Sequence, residues 1–168
     1  MKYIYRSILL VGFLLVGCSS NKAPTSQSAT DVSQTQVDSV LKKIQVCLSE
    51  VNQTEDAKYV DQKIIALLPN NPNAKTLFNS SDKISSEQAV ILTRFQESTL
   101  RCQVIAKELP SPDLVAVYSN YYEKIGDVYK DLIGQKITIG VANQERAMCI
   151  QYARSRWAQI MKEHKVAN

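Results

Sequence analysis

The chain has 168 residues, of which 45% are hydrophobic and 21% are charged, and its formal net charge is +4 at neutral pH. This small charge gives no electrostatic support for binding to nucleic acid. About 132 residues follow position 36, and that length suits one domain with a sizeable hydrophobic core.

The first 18 residues have the order of a secretory signal peptide. Lys2 and Arg6 come first, an apolar run extends from Ile8 to Val16, and Leu-Val-Gly-Cys closes the segment at positions 15–18. A charged, then apolar, then small-residue order is typical of such signals. The apolar run has about half of the ~20 residues that a membrane-spanning helix needs, which argues against a retained anchor. An ordinary signal peptide without lipidation is the other alternative.

The tetrapeptide at positions 15–18 resembles the lipobox of bacterial lipoproteins. The resemblance implies that residues 1–17 are removed, that Cys18 is diacylated and that the new amino terminus is acylated. Membrane binding through the acyl chains on Cys18 would then be stable, because stable anchoring takes more than one chain. In the lipoproteins that this segment resembles, aspartate after the cysteine favours the inner membrane. Ser19 therefore implies anchoring at the outer membrane, facing the periplasm.

A polar segment follows the lipobox. Residues 19–36 are rich in Ser, Thr, Gln and Asn, and Val32 is their only large apolar residue. Such a composition cannot bury enough apolar surface to offset the entropy of ordering. We therefore predict that residues 18–36 form a lipidated, flexible tether and that residues 37–168 form the folded domain.

Helical periodicity dominates the rest of the chain, which predicts an all-α fold. The first predicted helix covers roughly 33–52, with an apolar face formed by Val37, Val40, Leu41, Ile44, Cys47, Leu48 and Val51. A shorter helix is predicted from Glu55 to Leu68, where Pro69 stops it. Leu77 and Phe78 are expected to pack on the core from a loop or a single helical turn.

Capping signals mark the next two helices. Ser85 and Gln88 form a capping box, and Pro110 is expected to end the helix that they begin. Ser111 as N-cap and Pro112 at the first helical position predict the start of another helix.

The last helix is predicted over about 139–164. Gly134 is expected to be a left-handed C-cap of the preceding helix, and Thr138 is expected to cap the last one. The predicted architecture is a single bundle of four long helices and one short helix after the tether.

Three cysteines remain once Cys18 is lipidated, and the periplasm is oxidising enough to join two of them. If the short second helix runs back, the first helix and the 85–109 helix point the same way. Cys47 and Cys102 then lie at one level, each about five residues past its helix centre. Cys149 lies a turn or two lower, beyond the ~7 Å limit between Cα atoms. We predict a Cys47–Cys102 disulfide, with three unbonded thiols as the alternative.

Residues suited to catalysis are scarce. His164 is the only histidine and is placed on a solvated last turn, whereas a catalytic triad needs a rigidly held histidine. The chain has no Cys-x-x-Cys pair and no glycine-rich phosphate loop. Asp127 and Asp131, one helical turn apart, are the remaining carboxylate pair, and we expect them on a solvated face. The sequence predicts no enzymatic activity, no cofactor and no metal site.

Aromatic residues concentrate in the C-terminal half of the chain, at Tyr118, Tyr121, Tyr122, Tyr129, Tyr152 and Trp157. Tyrosine, tryptophan and arginine are enriched where proteins bind partners. The candidate partner-binding residues are Tyr122, Arg146, Arg154 and Arg156, because Tyr122 falls off the inward stripe and the arginines are near in sequence. The alternative is that the aromatic rings line the core.

The lipobox, the tether, the cysteines in the first and third helices and the Ile-Thr-Ile-Gly turn at 137–140 make the chain similar to small uncharacterised helical lipoproteins of proteobacteria. That resemblance implies a compartment and a fold but no mechanism. The leading hypothesis is a non-enzymatic adaptor or structural protein that docks an unidentified envelope protein through its helical surface. An exposed Tyr/Arg patch would favour it.

Two alternatives come from other classes. A carrier could bind an apolar small molecule or acyl chain between the helices, and a cavity lined by Ile, Leu and Phe would favour this function. A degenerate hydrolase would instead show a cleft with convergent carboxylates.

Overall fold

The computed structural model describes residues 34–166, with side chains up to residue 163. This range contains α1 (Gln34–Asn52), α2 (Glu55–Lys63), α3 (Ala74–Phe78), α4 (Ser86–Ile105), α5 (Pro112–Ile133) and α6 (Ile139–Val166). A 3-10 turn, Ala106–Glu108, follows α4, and the described range has no strand. The all-α prediction is confirmed, with four long helices and two short ones, of which α3 is the single turn expected around Leu77 and Phe78.

The predicted signal segment, Cys18 and the tether up to residue 33 lie outside the described residues. Because α1 begins at Gln34, residues 34–36 belong to the helix. This agrees with the predicted helix of 33–52 and corrects the predicted tether of 18–36. Among residues 34–166, no helix combines the length and hydrophobicity that crossing a bilayer requires.

The first two helices run antiparallel to α4. Three ion pairs show this: Lys43–Glu108 at 2.5 Å, Glu50–Arg101 at 3.4 Å and Asp56–Arg94 at 2.6 Å. As the residue number rises along α1 and α2, the number of the partner residue falls along the 86–108 stretch. Thus α2 continues the course of α1, and the prediction that it runs back was wrong.

Thr54 explains why the chain bends here without reversing. Its hydroxyl donates to the Val51 carbonyl at 2.8 Å, and its oxygen accepts the Ala57 N–H at 3.3 Å. One side chain therefore joins the last turn of α1 to the first turn of α2, which leaves no loop in which the direction could change.

The long helices form an up-down-up-down bundle. The bundle has a crossover end, where α2 and α5 finish, α4 and α6 begin, and α3 packs. Its terminal end is where α1 begins and α6 finishes. A large core cluster occupies the crossover end and the middle, including Val60, Leu92 and Leu132. A smaller cluster around Val37, Leu114 and Ile160 fills the terminal end.

The segment after α3 packs tightly on the start of α6. Gly140 N–H donates to the Ser80 carbonyl at 3.0 Å, and Ile139 N–H donates to the Asp82 carbonyl at 2.9 Å. A Cβ atom on Gly140 would lie 2.5 Å from the Ser80 oxygen. Only glycine allows this close approach of two backbones.

The capping predictions are confirmed in part. Ser85 and Gln88 form the capping box of α4, and Pro112 occupies the first turn of α5, although the Ser111 side chain makes no capping hydrogen bond. The regular part of α4 ends at Ile105 and not at Pro110, because a 3-10 turn tightens the chain before the proline.

At the other end of α5 the assigned glycine was wrong. Gly134 has φ of −73°, and Gln135 takes the left-handed conformation with φ of 55°. The Gln135 side chain donates to the Ile84 carbonyl at 3.0 Å, which helps to hold this conformation. Thr138 caps α6 as predicted, since its hydroxyl oxygen accepts the Val141 N–H at 3.2 Å.

Cys47 and Cys102 form a disulfide with a Cα separation of 5.6 Å, and Cys149 is a half-buried free thiol. The predicted pair is therefore present, although the helix directions used to predict it were wrong. Helix α2 extends α1 past Cys47, so the bridge lies near the middle of the combined α1–α2 stretch but near the end of α4. The two antiparallel stretches are therefore displaced along each other.

Candidate functional site

A surface groove of about 420 Å³ is formed by α1, α5, α6 and the segment that comes after α2. It is open to solvent rather than enclosed. Its walls combine aliphatic and aromatic side chains with two arginines: Leu41, Leu67, Val117, Tyr118, Tyr121, Arg146, Ile150, Ala153, Arg154 and Trp157. We call this feature the aromatic–arginine groove.

One end of the groove is closed by residues 64–68, which cross α6. The buried Asn143 accepts the Ala66 N–H at 2.8 Å and donates to the Ile64 carbonyl at 2.8 Å. Arg146 donates from Nη1 to the Ala66 carbonyl at 3.1 Å. Side chains of α6 therefore replace the hydrogen bonds that another turn of α2 would have made.

These contacts correct the predicted end of the second helix. Helix α2 ends at Lys63 and not at Leu68, because Ile64 and Ile65 are both fully buried and the next amides bond elsewhere. Asp61 accepts the N–H groups of Leu67 and Leu68 at 2.6 Å and 3.0 Å. This places the Leu67 side chain in the groove wall.

Arg146 is the half-buried cation at the closed end of the groove. Its Nε is buried and has no hydrogen-bond partner. None of the ion pairs found among the described residues includes Arg146 or Arg154. A buried donor without an acceptor costs about 1–3 kcal/mol, and an anion can bond to this group once a neighbouring side chain moves to expose it.

The tyrosines around Arg146 do not neutralise its charge. Burial raises the pKa of Tyr118, Tyr121 and Tyr122 above the usual tyrosine value. Burial also raises the pKa of Tyr129, and the nearby charge of Arg146 only partly offsets the effect. All four hydroxyls are therefore neutral at neutral pH, where they can donate or accept hydrogen bonds.

The aromatic rings form one packed group. Tyr118 lies 6.5 Å from Trp157 and 5.2 Å from Tyr122, measured between ring centroids. The Tyr121 and Tyr122 centroids are also 5.2 Å apart. Aromatic contacts of this kind hold the wall of the groove in a fixed shape.

A second cavity, of about 240 Å³ and partly open to solvent, adjoins the groove between α1, α4, α5 and α6. Leu67, Tyr118, Tyr121 and Arg146 line both spaces. The cavity wall is partly polar, with Asn52, Gln96, Thr99 and Gln103 among the lining residues. Leu48, Phe95 and Ile125 also line it, so its wall combines the residue types expected of a carrier with polar side chains.

The four candidate partner-binding residues occupy three different places. Arg146 and Arg154 line the aromatic–arginine groove. Tyr122 is partly exposed, as expected, but lines the adjoining cavity. Arg156 points away from the groove, is exposed, and donates to Gln159 Oε1 at 2.6 Å.

Sequence reasoning missed Leu67 and Asn143. The amphipathic pattern assigned Leu67 to the face of a helix, whereas it belongs to the irregular segment that closes the groove. Asn143 was not singled out, although a signal was present: it lies next to the small apolar Ala142 within the predicted last helix, where a polar side chain that turns inward needs partners.

The predicted carboxylate pair does not form a site. Asp127 lies 3.7 Å from Lys124, and Asp131 lies 2.7 Å from Lys136, so each carboxylate pairs with its own lysine. No cluster of potential metal ligands occurs among the described residues. The side chain of His164 is outside the described part of the chain.

Comparison with protein-family models, with curated proteins and with solved structures finds no match to this chain.

Proposed function

We propose that the protein is a non-enzymatic lipoprotein of the outer membrane, anchored through Cys18 and facing the periplasm, that docks an envelope protein in its aromatic–arginine groove. The observation that carries the docking function is the groove itself, in which aromatic side chains surround two arginines that form no ion pair with any residue the structure describes. Aromatic residues and arginine are the types that dominate binding energy at protein interfaces.

The openness of the groove favours a protein partner over an acyl chain. Small-molecule sites bury most of the ligand surface, typically 70–90% or more, and an acyl chain lying here would stay in contact with water along its length. Tyrosine hydroxyls on the wall can bond to a peptide backbone, whereas an alkyl chain would leave them without a partner.

A carrier remains the second candidate, and one observation favours it. The groove adjoins the second cavity at Tyr118 and Tyr121, so that movement of these rings would join two spaces of about 420 Å³ and 240 Å³. Native mass spectrometry of the isolated protein would detect a retained small molecule. A stoichiometric lipid adduct would support the carrier.

Cross-linking in intact cells tests the docking function. A photoreactive benzoylphenylalanine replaces Trp157 in the groove, or Tyr152, an aromatic residue on the same helix that does not line the groove. We expect one defined protein adduct from position 157 and none from position 152.

Two further variants make this result specific. Replacing both Arg146 and Arg154 by methionine is expected to abolish the adduct, and Arg156→Met is expected to leave it unchanged. Equal yields from positions 157 and 152, or adducts that contain only lipid, would contradict the proposal.

The anchor is tested separately. Changing Cys18 to Ala is expected to leave the protein unprocessed or to release it from the membrane fraction, since the residue that would carry the acyl chains is lost. Fractionation and intact mass measurement check this outcome. Unchanged fractionation with an unchanged mass, apart from the substitution, would show that Cys18 is not lipidated.

A further inference from the structure

We infer that the occupant of the aromatic–arginine groove is the C-terminal end of a partner polypeptide, with its terminal carboxylate bound by Arg146 and its last side chains apolar. The inference rests on the proposed docking function and specifies the chemistry of the partner. Three observations carry it: the charge at the closed end, the shape of the groove and the character of its walls.

Charge identifies the group that is bound. Arg146 presents a guanidinium whose buried Nε lacks a hydrogen-bond partner, and Arg154, further along the same groove, also has no ion-pair partner among the described residues. The surrounding tyrosines are neutral because burial raises the pKa of each. A planar carboxylate suits a guanidinium, which can donate two parallel hydrogen bonds to it.

Shape distinguishes a chain end from an internal acidic residue. Along α6 the groove extends from Arg146 to Trp157, a distance of about 16 Å at ~1.5 Å per residue. That length accommodates about four or five residues of an extended chain. Residues 64–68 close the groove at Arg146 through the hydrogen bonds of Ala66. Only side chains, those of Leu67, Tyr118, Tyr121 and Arg146, separate the groove from the second cavity. With these side chains in place, an extended chain that enters beside Trp157 ends at Arg146.

The walls define the rest of the segment. Leu41, Ile150 and Trp157 offer apolar surface for side chains of the bound peptide. The hydroxyls of Tyr118 and Tyr121 can bond to its backbone amides or carbonyls. Capture of a terminal carboxylate next to pockets for apolar side chains is a known mode of peptide recognition.

The test compares peptides that differ only in the terminal group. N-acetylated pentapeptides with Leu, Ile, Val, Phe, Tyr or Trp at the last three positions are each prepared as the free acid and as the carboxamide. Binding to the protein isolated from its cells and reconstituted in lipid nanodiscs is followed by NMR, using the Nε–H signals of Arg146 and Trp157. We expect acids to shift both signals, and the matching amides to bind about 10- to 100-fold more weakly.

Variants place the carboxylate. Arg146→Met is expected to remove the advantage of the acid over the amide, and Arg156→Met is expected to change the affinity less than twofold because Arg156 lies off the groove. The comparison of acid with amide uses the unmodified protein, so it holds even where Arg146→Met fails to fold.

Each remaining outcome overturns the inference. Equal binding of acids and amides, or no binding by any acid in the set, would show that Arg146 does not receive a chain end. Binding of decanoate, with the same dependence on Arg146 and without peptide binding, would assign the groove to a free carboxylic acid. If acids and amides bind equally, or if no acid binds, a cross-linked adduct from position 157 in cells would still support docking. The two proposals can therefore be distinguished.

Discussion

The two ends of the bundle are built differently. At the crossover end and through the middle, sixteen buried hydrophobic residues form one cluster, and the disulfide lies within it. At the terminal end the corresponding cluster has seven buried members, and Trp157 and Tyr118 pack against it only partly buried. The same helices α5 and α6 contribute to both ends. The difference indicates that most of the buried core lies toward the crossover end, whereas large aromatic side chains remain partly exposed at the terminal end.

Helix α6 shows this contrast within a single element. Its first half carries Ala142 and Asn143, both buried, and makes backbone contact with the segment after α3. Further along, it places Ile150, Ala153 and Trp157 beside the groove, where they are only partly covered. Substitutions at Ala142 and Asn143 should therefore act on folding, and those at Ile150, Ala153 and Trp157 should act mainly on binding.

The largest effect is expected from the disulfide that belongs to the crossover cluster. Replacing Cys47 and Cys102 by serine opens a loop with a sequence separation of 55, which corresponds to a loss of about 4 kcal/mol in the chain-entropy account. Urea unfolding measures the change. Cys149→Ser is the control, expected to cost less than about 1 kcal/mol because this thiol is unbonded. Equal losses in both variants would contradict the assignment.

Asn143→Ala is expected to cost about 3 kcal/mol of unfolding free energy, since it leaves the Ala66 N–H and the Ile64 carbonyl without their partners. Gln144→Ala is the matched control, because Gln144 is exposed and makes one hydrogen bond, to the Phe78 carbonyl. Thermal or urea unfolding of the two variants checks the difference. A loss as small as that of the control would mean that the 64–68 segment is held by other contacts.

A smaller loss of about 1–2 kcal/mol is expected for Trp157→Ala. A fully buried tryptophan costs about 3–5 kcal/mol when truncated to alanine, and Trp157 is only partly buried. Partner binding should fall much more strongly than stability. Because Trp157 itself is replaced, binding is measured by the cross-linking yield from a photoreactive residue at Val117, another groove position, and stability is measured by urea unfolding. A loss of stability equal to that of Asn143→Ala would remove the distinction between the two ends.

No effect on stability is expected from shortening the predicted tether. Deleting ten residues between positions 20 and 31 should change the unfolding free energy by less than about 0.5 kcal/mol, because this polar composition has no apolar face to pack. The melting temperature checks this outcome. A large decrease would show that the segment packs on the bundle.

The sequence predicted the helices well wherever the signal was local. Val37, Ile44 and Val51 recur at helical spacing and are buried in α1, and Ser85 with Gln88 marked the start of α4. These features depend on residues a few positions apart, so periodicity and capping chemistry are sufficient to find them.

Features that depend on distant residues could not be found in this way. The end of α2 is decided by Asn143 and Arg146, which are 77 or more positions away from the backbone groups they bind. The direction of α2 is decided by the Thr54 contacts and by packing on α4. Apolar spacing does not report either of them.

The site was predicted in part for the same reason. Arg146 and Arg154 were chosen for their residue type and their nearness in sequence, and both line the groove. Arg156 was chosen on the same grounds, but it points elsewhere because two residues along a helix turn the side chain by more than half a turn. A groove is space that the helices leave unfilled, and only the packed bundle shows where it lies.

The position of the Cys47–Cys102 bond also determines how the molecule would respond to a mechanical load. A pull on the N-terminal side of Gln34 would act first on residues 34–46, which can unravel and extend to about 45 Å. The covalent bond then stops the extension, because residues 47–102 form a closed ring that contains α2, α3 and most of α4. Residues 64–68, which close the groove at Ala66, belong to this ring. Tension along the predicted tether would therefore pass through the disulfide and would not extend this segment.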